Sequence, residues 1–485
     1  MSDKTMGTVD RRTLLKAAGA AGIMAATSAV AATPRKRYAV VGLGSRARMY
    51  TGAITGKFKD NNEIVAVCDT NAGRLALAVR KLTETGSSAP RPYLAADFDR
   101  MISETRPPFV IVTTTDATHD DYIVRALELG CDVITEKPMT TTAAKAQRIL
   151  DAVKRTGRHV RVCFNYRYTP PRSQVKDILM SGEIGDVLSV DFTWLLNTTH
   201  GADYFRRWHS NKAISGGLMV HKSTPQIDLA NWGPGAPPAL VHAFGARQFY
   251  TPATARRMGL SGPHQRCLTC PEKTKCNFYF DLAADEGLKA LYLDNEKFDG
   301  YHRDQCVWRP EINIEDTMNV MVKYDNGVQL NYALSAYDAW EGYYIAFNGT
   351  NGRLEHRIVE KAGVAGANEV QSKSTGISTR VIPMRGAARE IEPWTGTGGH
   401  GGGDDVMLTE IFGDAPADKY KRISDERAGA YSILVGVAAN QCFETGNSVR
   451  IADLVTGLTP PDRAPMPSRS GPLPMPVKVA KTGGG

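Results

Sequence analysis

Hydrophobic and polar positions follow two regimes along this chain. Between residues 36 and 163, apolar runs such as YAVV, EIVAVCD, PFVIV and CDVIT alternate with helical patterns such as DDYIVRALELG. Alternation of strands and helices of this length predicts a parallel, doubly wound sheet whose ligands sit at the carboxyl ends of its strands. After Asn165-Tyr166-Arg167-Tyr168 the period shortens to two, in VLSVDFTWLL, ALVHAFGARQFY, TMNVMVKYDNGVQLNYALSAY and YYIAFNGTNGRLE. The YDNG and NGTNG turns predict antiparallel pairing there, in a sheet that leaves one face for a ligand. The 485 residues exceed one ordinary domain, and two cores are expected, an α/β domain over 36–163 and an α+β domain over 164–457.

The first strand runs into VGLGSRA, where Gly42, Gly44 and Ala47 keep the G-x-G-x-x-G/A spacing. The spacing provides a tight turn, close backbone approach to a pyrophosphate and close helix–strand packing, with helix amides turned to the phosphates. That makes residues 36–163 a candidate Rossmann domain. The next strand ends in Asp69, placed to bind a ribose 2′-hydroxyl, which favours NAD over NADP, although Arg74 nearby blurs the preference. The alternative is that Asp69 caps the following helix. Thr113, Thr114 and His119 fall at a later strand end, and Glu136-Lys137-Pro138 at the next. All are expected around the cofactor, and Lys137 is the catalytic candidate of this half: partial burial would lower its pKa and let it hold a substrate hydroxyl and help take its proton. An ordinary surface lysine paired with Glu136 is the plainer alternative.

From VGLGSRA through TTTDATHDDYIVRALELGCDVITEKPMTTTAAKA to NYRYTP, and again at GVAANQCFETGNSVRIADL, the chain resembles the glucose-fructose oxidoreductase and inositol dehydrogenase (Gfo/Idh/MocA) family. The resemblance implies that Lys137 binds substrate and assists proton transfer. It also implies a second domain built on a large open, mainly antiparallel sheet whose face covers the nicotinamide.

Within SGGLMVHKSTPQIDLANW, the family carries an aspartate and, four residues later, a histidine on one helix face; aligned through Asp228, these positions are His221 and Pro225. The usual acid–base histidine is therefore absent. Proline lacks an N–H and suits a first helical turn, so Ser223 or Thr224 is expected to cap a helix starting at Pro225, with His221 and Lys222 on the loop before it. His221, or Lys222 beside it, then becomes the proton acceptor; a purely structural His221 is the alternative. His400 and Asp404 in GGHGGGDD, and Tyr166 and Arg167, are candidate substrate contacts, or else a surface loop and interface packing.

Cys68, Cys131, Cys163 and Cys442 sit in apolar contexts and read as buried small hydrophobes. Cys267, Cys270, Cys276 and Cys306 lie in an insertion near 262–306 and suggest a structural zinc site, with two disulfides as the alternative. Residues 1–32 combine Arg11-Arg12, a weakly apolar run and Ala29-Val30-Ala31, the pattern of a twin-arginine export signal. Passage through the export machinery after folding, with cofactor loaded, and a periplasmic or extracellular site of action are expected. The run is too short for a stable membrane span. The formal charge of +8 gathers partly at the N-terminus, with no long basic, aromatic-interleaved stripe, so nucleic acid is not an expected partner. Residues 458–485 are proline-rich and read as an extended or disordered tail. Three functions fit: an oxidoreductase for a sugar or polyol, a glycoside-cleaving enzyme using NAD transiently, and a non-catalytic sugar-binding protein. Homo-oligomerisation is left open.

Overall fold

The computed structural model describes residues 34–361, 376–473 and 475. The expected export signal at 1–32 lies outside them. Residues from Lys36 onward form one unit. Its first sheet contains β1 (Lys36–Val41), β2 (Asn62–Asp69), β3 (Arg91–Leu94), β4 (Phe109–Val112), β5 (Asp132–Glu136) and β6 (Val160–Cys163). They lie in the order β3-β2-β1-β4-β5-β6, and every neighbouring pair is parallel. The order reverses between β1 and β4, which opens a crevice at their carboxyl ends. Nearly continuous burial, as in Tyr38–Val41 and Val110–Val112, follows from helices covering both faces.

The second sheet contains β7 (Val187–Asn197), β8 (Pro238–Ala246), β9 (Thr317–Tyr324), β10 (Gln329–Asp338), β11 (Glu341–Gly349), β12 (Gly352–Lys361), β13 (Gly376–Pro383), β14 (Arg389–Ile391) and β15 (Val449–Arg450). Their order is β14-β13-β12-β11-β7-β10-β9-β8-β15. The β7–β10 pair is parallel and the other pairs are antiparallel. Along β9, Met318, Val320, Val322 and Tyr324 are buried while Asn319, Met321 and Lys323 are exposed, so one face is core and the other is open. On the buried face Trp194 stacks on Tyr343 at 4.8 Å, and Phe192 meets Tyr332 edge-on at 5.4 Å.

A long helix, Glu426–Thr445, fixes the elements that carry the site. Asp425 caps it by accepting from the Ala428 N–H at 3.0 Å, and Gly446 ends it in the left-handed region. Its middle turns are buried, and at Gly436 an added Cβ would fall 2.3 Å from the Met219 carbonyl oxygen. Only glycine lets the backbone of residues 219–220 approach this closely, which seats the turn ending at His221. That turn is a short helix, Leu218–His221, followed by a helix over Thr224–Trp232 with Pro225 in its first turn. His221 thus ends a helical turn instead of lying on a loop, whereas Lys222, with Ser223, does form the turn before the helix that carries Pro225. Ser223 holds the N-cap position without a side-chain cap; its hydroxyl donates back to the Leu218 carbonyl at 3.2 Å.

Among the described residues, no helix is long and apolar enough to cross a membrane. The segment after Gly457 runs without helix or strand over the described residues, with Ala464 buried and Arg463 donating to the Asn231 carbonyl at 3.0 Å.

Candidate active site

A cleft of about 760 Å³ opens at the carboxyl ends of β1, β2 and β4, lined among others by Gly42, Gly44, Asp69, Thr113, Thr114 and Arg207. Gly42 has φ +84°, and a Cβ there would strike the Thr114 nitrogen at 2.6 Å, so the loop can lie against β4 only as glycine. At Gly44 a Cβ would meet nothing nearer than the Tyr292 hydroxyl at 3.5 Å. The cradle is therefore closed on the strand side and open on the ligand side. Ala47 begins the following helix and is buried.

Asp69 anchors this wall. One of its oxygens accepts from the Leu43 N–H at 2.7 Å, and the other from the Asn71 N–H at 2.7 Å and Arg74 at 3.2 Å. The next helix is capped by Asn71, whose side chain accepts from the Arg74 N–H at 2.9 Å, and not by Asp69. The Thr70 hydroxyl adds a long 3.5 Å contact to the more heavily used oxygen, so the acceptor position that remains for a ribose hydroxyl is on the oxygen that takes only Leu43. Thr113 donates to the Gly42 carbonyl at 2.5 Å, and the Thr114 hydroxyl accepts from Thr118 at 2.9 Å. These residues fit a dinucleotide: a glycine cradle with room on its ligand side, a carboxylate at the end of β2 and one cleft that both of them line.

Two expected cofactor contacts do other work. His119 is buried, with Nδ1 2.8 Å from the Pro138 carbonyl and Nε2 3.2 Å from the Thr114 carbonyl; it ties the ends of β4 and β5 together, and burial lowers its pKa. Glu136 accepts from Arg46 at 2.6 Å and from the Tyr50 hydroxyl at 2.7 Å, so it orients the glycine-loop helix.

Beyond the cleft's inner end lie the proton-handling groups. His221 Nδ1 is 2.5 Å from Asp116 Oδ2, a pairing that spans the two domains. Nε2 has no hydrogen bond among the described residues. This is the triad logic in which a carboxylate fixes one ring nitrogen so that the other can move a proton. Burial, then the charges of Lys137, Arg207 and Lys222, hold His221 neutral, well below the usual imidazole range, and burial likewise raises the Asp116 carboxyl well above its usual range against the pull of Lys137 and Arg207. His209 stands edge-on to it, ring centres 4.1 Å apart, with its Nδ1 buried and without a hydrogen-bond partner among the described residues.

Lys137 is half-buried, and its pKa falls to about 8, chiefly through burial, against the opposing pull of Asp116 and Glu136. Its ammonium donates to the His221 carbonyl at 3.2 Å. That carbonyl would ordinarily accept from the N–H of residue 225, which proline lacks. Pro225 thus leaves an acceptor that Lys137 fills, and the two catalytic candidates are joined through it. Lys222 lies over the Trp194 ring at 5.3 Å.

The remaining expected contacts divide. Tyr166 stacks on Trp194 at 5.5 Å and lies 6.1 Å from the His400 ring. His400 Nδ1 is 2.8 Å from Asp404, which also accepts from Asn165 at 2.8 Å. Burial opposes ionisation of Asp404, but His400, Arg46 and Asn165 outweigh it and hold the carboxyl at about 2. Arg167, by contrast, is buried in a bidentate pair with Asp228, both contacts 2.6 Å, and is core scaffolding.

Sequence reasoning missed Asp116, His209 and the chain Glu341–His200–Tyr204. In that chain His200 Nδ1 is 2.6 Å from Glu341, and Nε2 is 3.0 Å from the Tyr204 hydroxyl. The Tyr204 ring lies 5.6 Å from that of His221. Asp116 alone carried a local signal, following the TTT at the end of β4.

The cysteine reading is corrected. Among the described residues, no group of three or more histidine, cysteine, aspartate or glutamate side chains could hold a metal ion, and all eight cysteines are free thiols. Cys267, Cys270, Cys276 and Cys306 line a small cavity with Phe278 and Trp308. Cys267 Sγ is met by Arg206 at 3.7 Å, and burial raises the Cys267 and Cys306 thiols, keeping them protonated, apolar lining. Cys68, Cys131, Cys163 and Cys442 are buried.

A parallel dinucleotide sheet with a cleft at its carboxyl ends, a histidine edge-on at 5.6 Å to the cleft-lining Trp208, a lysine on that histidine's carbonyl and an open second sheet together define a two-domain nucleotide-dependent oxidoreductase. The chain belongs to the Gfo/Idh/MocA oxidoreductase family: the family's NAD-binding Rossmann fold matches residues 36–164, and its C-terminal alpha/beta domain residues 176–451. YteT of Bacillus subtilis (strain 168), named as an oxidoreductase, is 37% identical over 412 residues, covering 83% of this chain and 94% of YteT. Inositol 2-dehydrogenase of Salmonella typhimurium (strain LT2) is 37% identical over 129 residues, 26% of this chain and 37% of that enzyme. Among solved structures, an Agrobacterium radiobacter oxidoreductase in complex with NAD+, L-tartaric acid and magnesium aligns with TM-score 0.57 at 17% identity, covering 87% of this chain and all of that one (100%). Aldose-aldose oxidoreductase from Caulobacter crescentus, complexed with glycerol, aligns with TM-score 0.55 at 17% identity over 86% of this chain and 99% of that one. These two likenesses show the fold. The protein is an NAD-binding oxidoreductase.

Proposed function

We propose that the protein acts outside the cytoplasm on a hydroxyl of a sugar, polyol or glycoside, keeping one NAD through repeated turnovers. The observation that carries the chemistry is the Asp116–His221 contact of 2.5 Å at the inner end of the cofactor cleft, with Lys137 on the His221 carbonyl. NAD, when bound, supplies the two-electron acceptor that takes the carbon-bound hydride and later returns it. His221 Nε2 receives the hydroxyl proton, leaving a carbonyl on the substrate, and Asp116 balances the charge the imidazole gains. Charged Lys137 depresses the proton affinity of His221, so loss of its own proton strengthens the histidine and adds a second acceptor. Tyr166, His400 and Asp404 form the wall proposed to meet the sugar, with Lys222 as the reserve base.

The twin-arginine pattern at 1–32 supports export after folding with cofactor aboard. Outside the cytoplasm free NAD is not dependably supplied, so the hydride must return to a second carbonyl substrate or to the same sugar after an internal step. A second reading, glycoside cleavage by transient oxidation and elimination, is favoured by Glu341–His200–Tyr204, which offers a second proton path beside His221. Product analysis with purified protein, free sugars and glycosides, without added NAD, tests both. The first reading predicts a paired oxidised and reduced sugar. The second predicts released aglycone and ring deuterium from heavy water. Turnover only with added NAD overturns the resident-cofactor proposal.

A further inference from the structure

The insertion that carries the four cysteines does not end at its own small cavity. It reaches from the second domain to the glycine loop. Its root is held by Arg206, which donates to the Phe278 carbonyl at 3.2 Å. Its far end comprises the short helices Glu286–Leu291, Leu293–Asn295 and Glu296–Asp299. Leu282, Leu291 and Tyr292 pack with Leu77 of the helix after β2 in a small separate core. The contact is polar as well: Asn71 donates to the Asn295 carbonyl at 2.9 Å, and Arg74 donates to Asp299 at 2.7 Å. At Gly73 a Cβ would fall 1.9 Å from Asn295 Oδ1, so any larger residue there would have to displace the Asn295 and Phe298 side chains of the cover.

Tyr292 is the point of closest engagement. Its hydroxyl accepts from the Ser45 N–H at 3.1 Å and lies 3.0 Å from the Ser45 hydroxyl. Amides of a loop with this spacing ordinarily point at a pyrophosphate. The tyrosine hydroxyl therefore stands at the edge of the expected pyrophosphate position, with a proton of its own to donate there. The surroundings are cationic: Arg303 lies over the Tyr292 ring at 5.2 Å, and Arg207, paired with Asp203 at 2.8 Å, lines the same cleft. Burial works against ionisation of the phenol, yet Arg207 and Arg303 outweigh it and lower its pKa, a sign of positive potential at this point. Nothing in the parallel sheet supplies either residue.

We infer that the insertion is the roof of the dinucleotide site, and that Tyr292 and Arg207 recognise the pyrophosphate from outside the Rossmann domain and retain the cofactor between turnovers. This rests on NAD being the resident cofactor, and it is independent of which sugar is used.

The test measures binding and not turnover. Full-length protein, freed of co-purified nucleotide, is titrated with NADH, ADP-ribose and adenosine, and NADH release is followed by fluorescence in wild type, Tyr292→Phe and Arg207→Gln. Loss of one hydrogen bond or charge to a phosphate predicts about tenfold weaker NADH and ADP-ribose binding, faster NADH release and unchanged adenosine binding. Unchanged NADH affinity and release in both variants overturns the inference, as does equal weakening for adenosine. Hydrogen exchange over residues 286–303 of the wild type provides a check that needs no variant: NADH slows it if the segment is a roof, and an unchanged rate contradicts the assignment. Failure of every sugar to react would count against the proposed function while leaving these binding results intact.

Discussion

His119 and His221 are both buried beside the cofactor cleft, yet their surroundings assign them opposite work. His119 has both ring nitrogens facing backbone carbonyls, 2.8 and 3.2 Å away, so its single N–H is taken by one carbonyl and its other nitrogen is walled off from a ligand by the second. His221 has one nitrogen on a carboxyl group and, among the described residues, no hydrogen bond on the other, with a lysine on its own carbonyl. Burial alone does not mark a catalytic histidine. The difference is a fixed carboxylate partner from another element together with an uncommitted second nitrogen.

The largest effect that comparison predicts is at His221. His221→Ala should lower turnover by roughly two to four orders of magnitude, the range for loss of an acid–base group, while NADH affinity by fluorescence titration stays unchanged. Asp116→Asn should cost a comparable amount, up to roughly four orders, because an amide can hold the imidazole in the wrong tautomer and no longer balances its charge. Comparable turnover in His221→Ala and His119→Ala would erase the distinction drawn between the two histidines.

A smaller effect is expected at Pro225. Pro225→Ala restores an N–H that competes for the His221 carbonyl, removing support for the Lys137 ammonium. The pH at which Lys137 titrates should fall below about 8, by less than a unit, with turnover changed severalfold at most.

Outside the site, Lys176 sharpens the same lesson for a buried lysine. Burial, reinforced by Arg463 and Arg167, depresses its pKa to about 7, while its ammonium donates to the Trp232 and Gly233 carbonyls at 2.7 and 3.1 Å. A lysine whose folded pKa lies below its unfolded value binds more protons unfolded, so its contribution makes stability rise with pH between about 7 and the unfolded value of about 10.4. Lys176→Met should remove that slope from thermal unfolding measured across the window, with little change in turnover.

The cofactor wall was legible because its determinants are local: Gly42, Gly44, Ala47 and Asp69 keep fixed spacings on one strand–turn–helix–strand unit. Period-two runs likewise exposed the second sheet. The parallel β7–β10 pair was not legible, because antiparallel and parallel partners share the same alternation. Lys137 and His221 could be singled out, but their link could not: it depends on Pro225 removing a donor and on Gly436 letting the long helix press against residues 219–220. Asp116, His200 and Glu341 became visible only once distant segments met. The cysteines misled for the reverse reason, since C-x2-C spacing resembles a metal knuckle, whereas folding gives Cys267 to Arg206.

The central claim is that Lys137 and His221 share the substrate proton. Its most direct test is the pH dependence of the first hydride-transfer step in a single turnover, followed by NADH absorbance with cofactor prebound. Wild type should quicken as pH rises through about 8, where Lys137 loses its charge, and Lys137→Met should be slower and lack that rise. A wild-type rate that is flat or falls through this range, or a Lys137→Met variant that keeps the rise, would contradict the account.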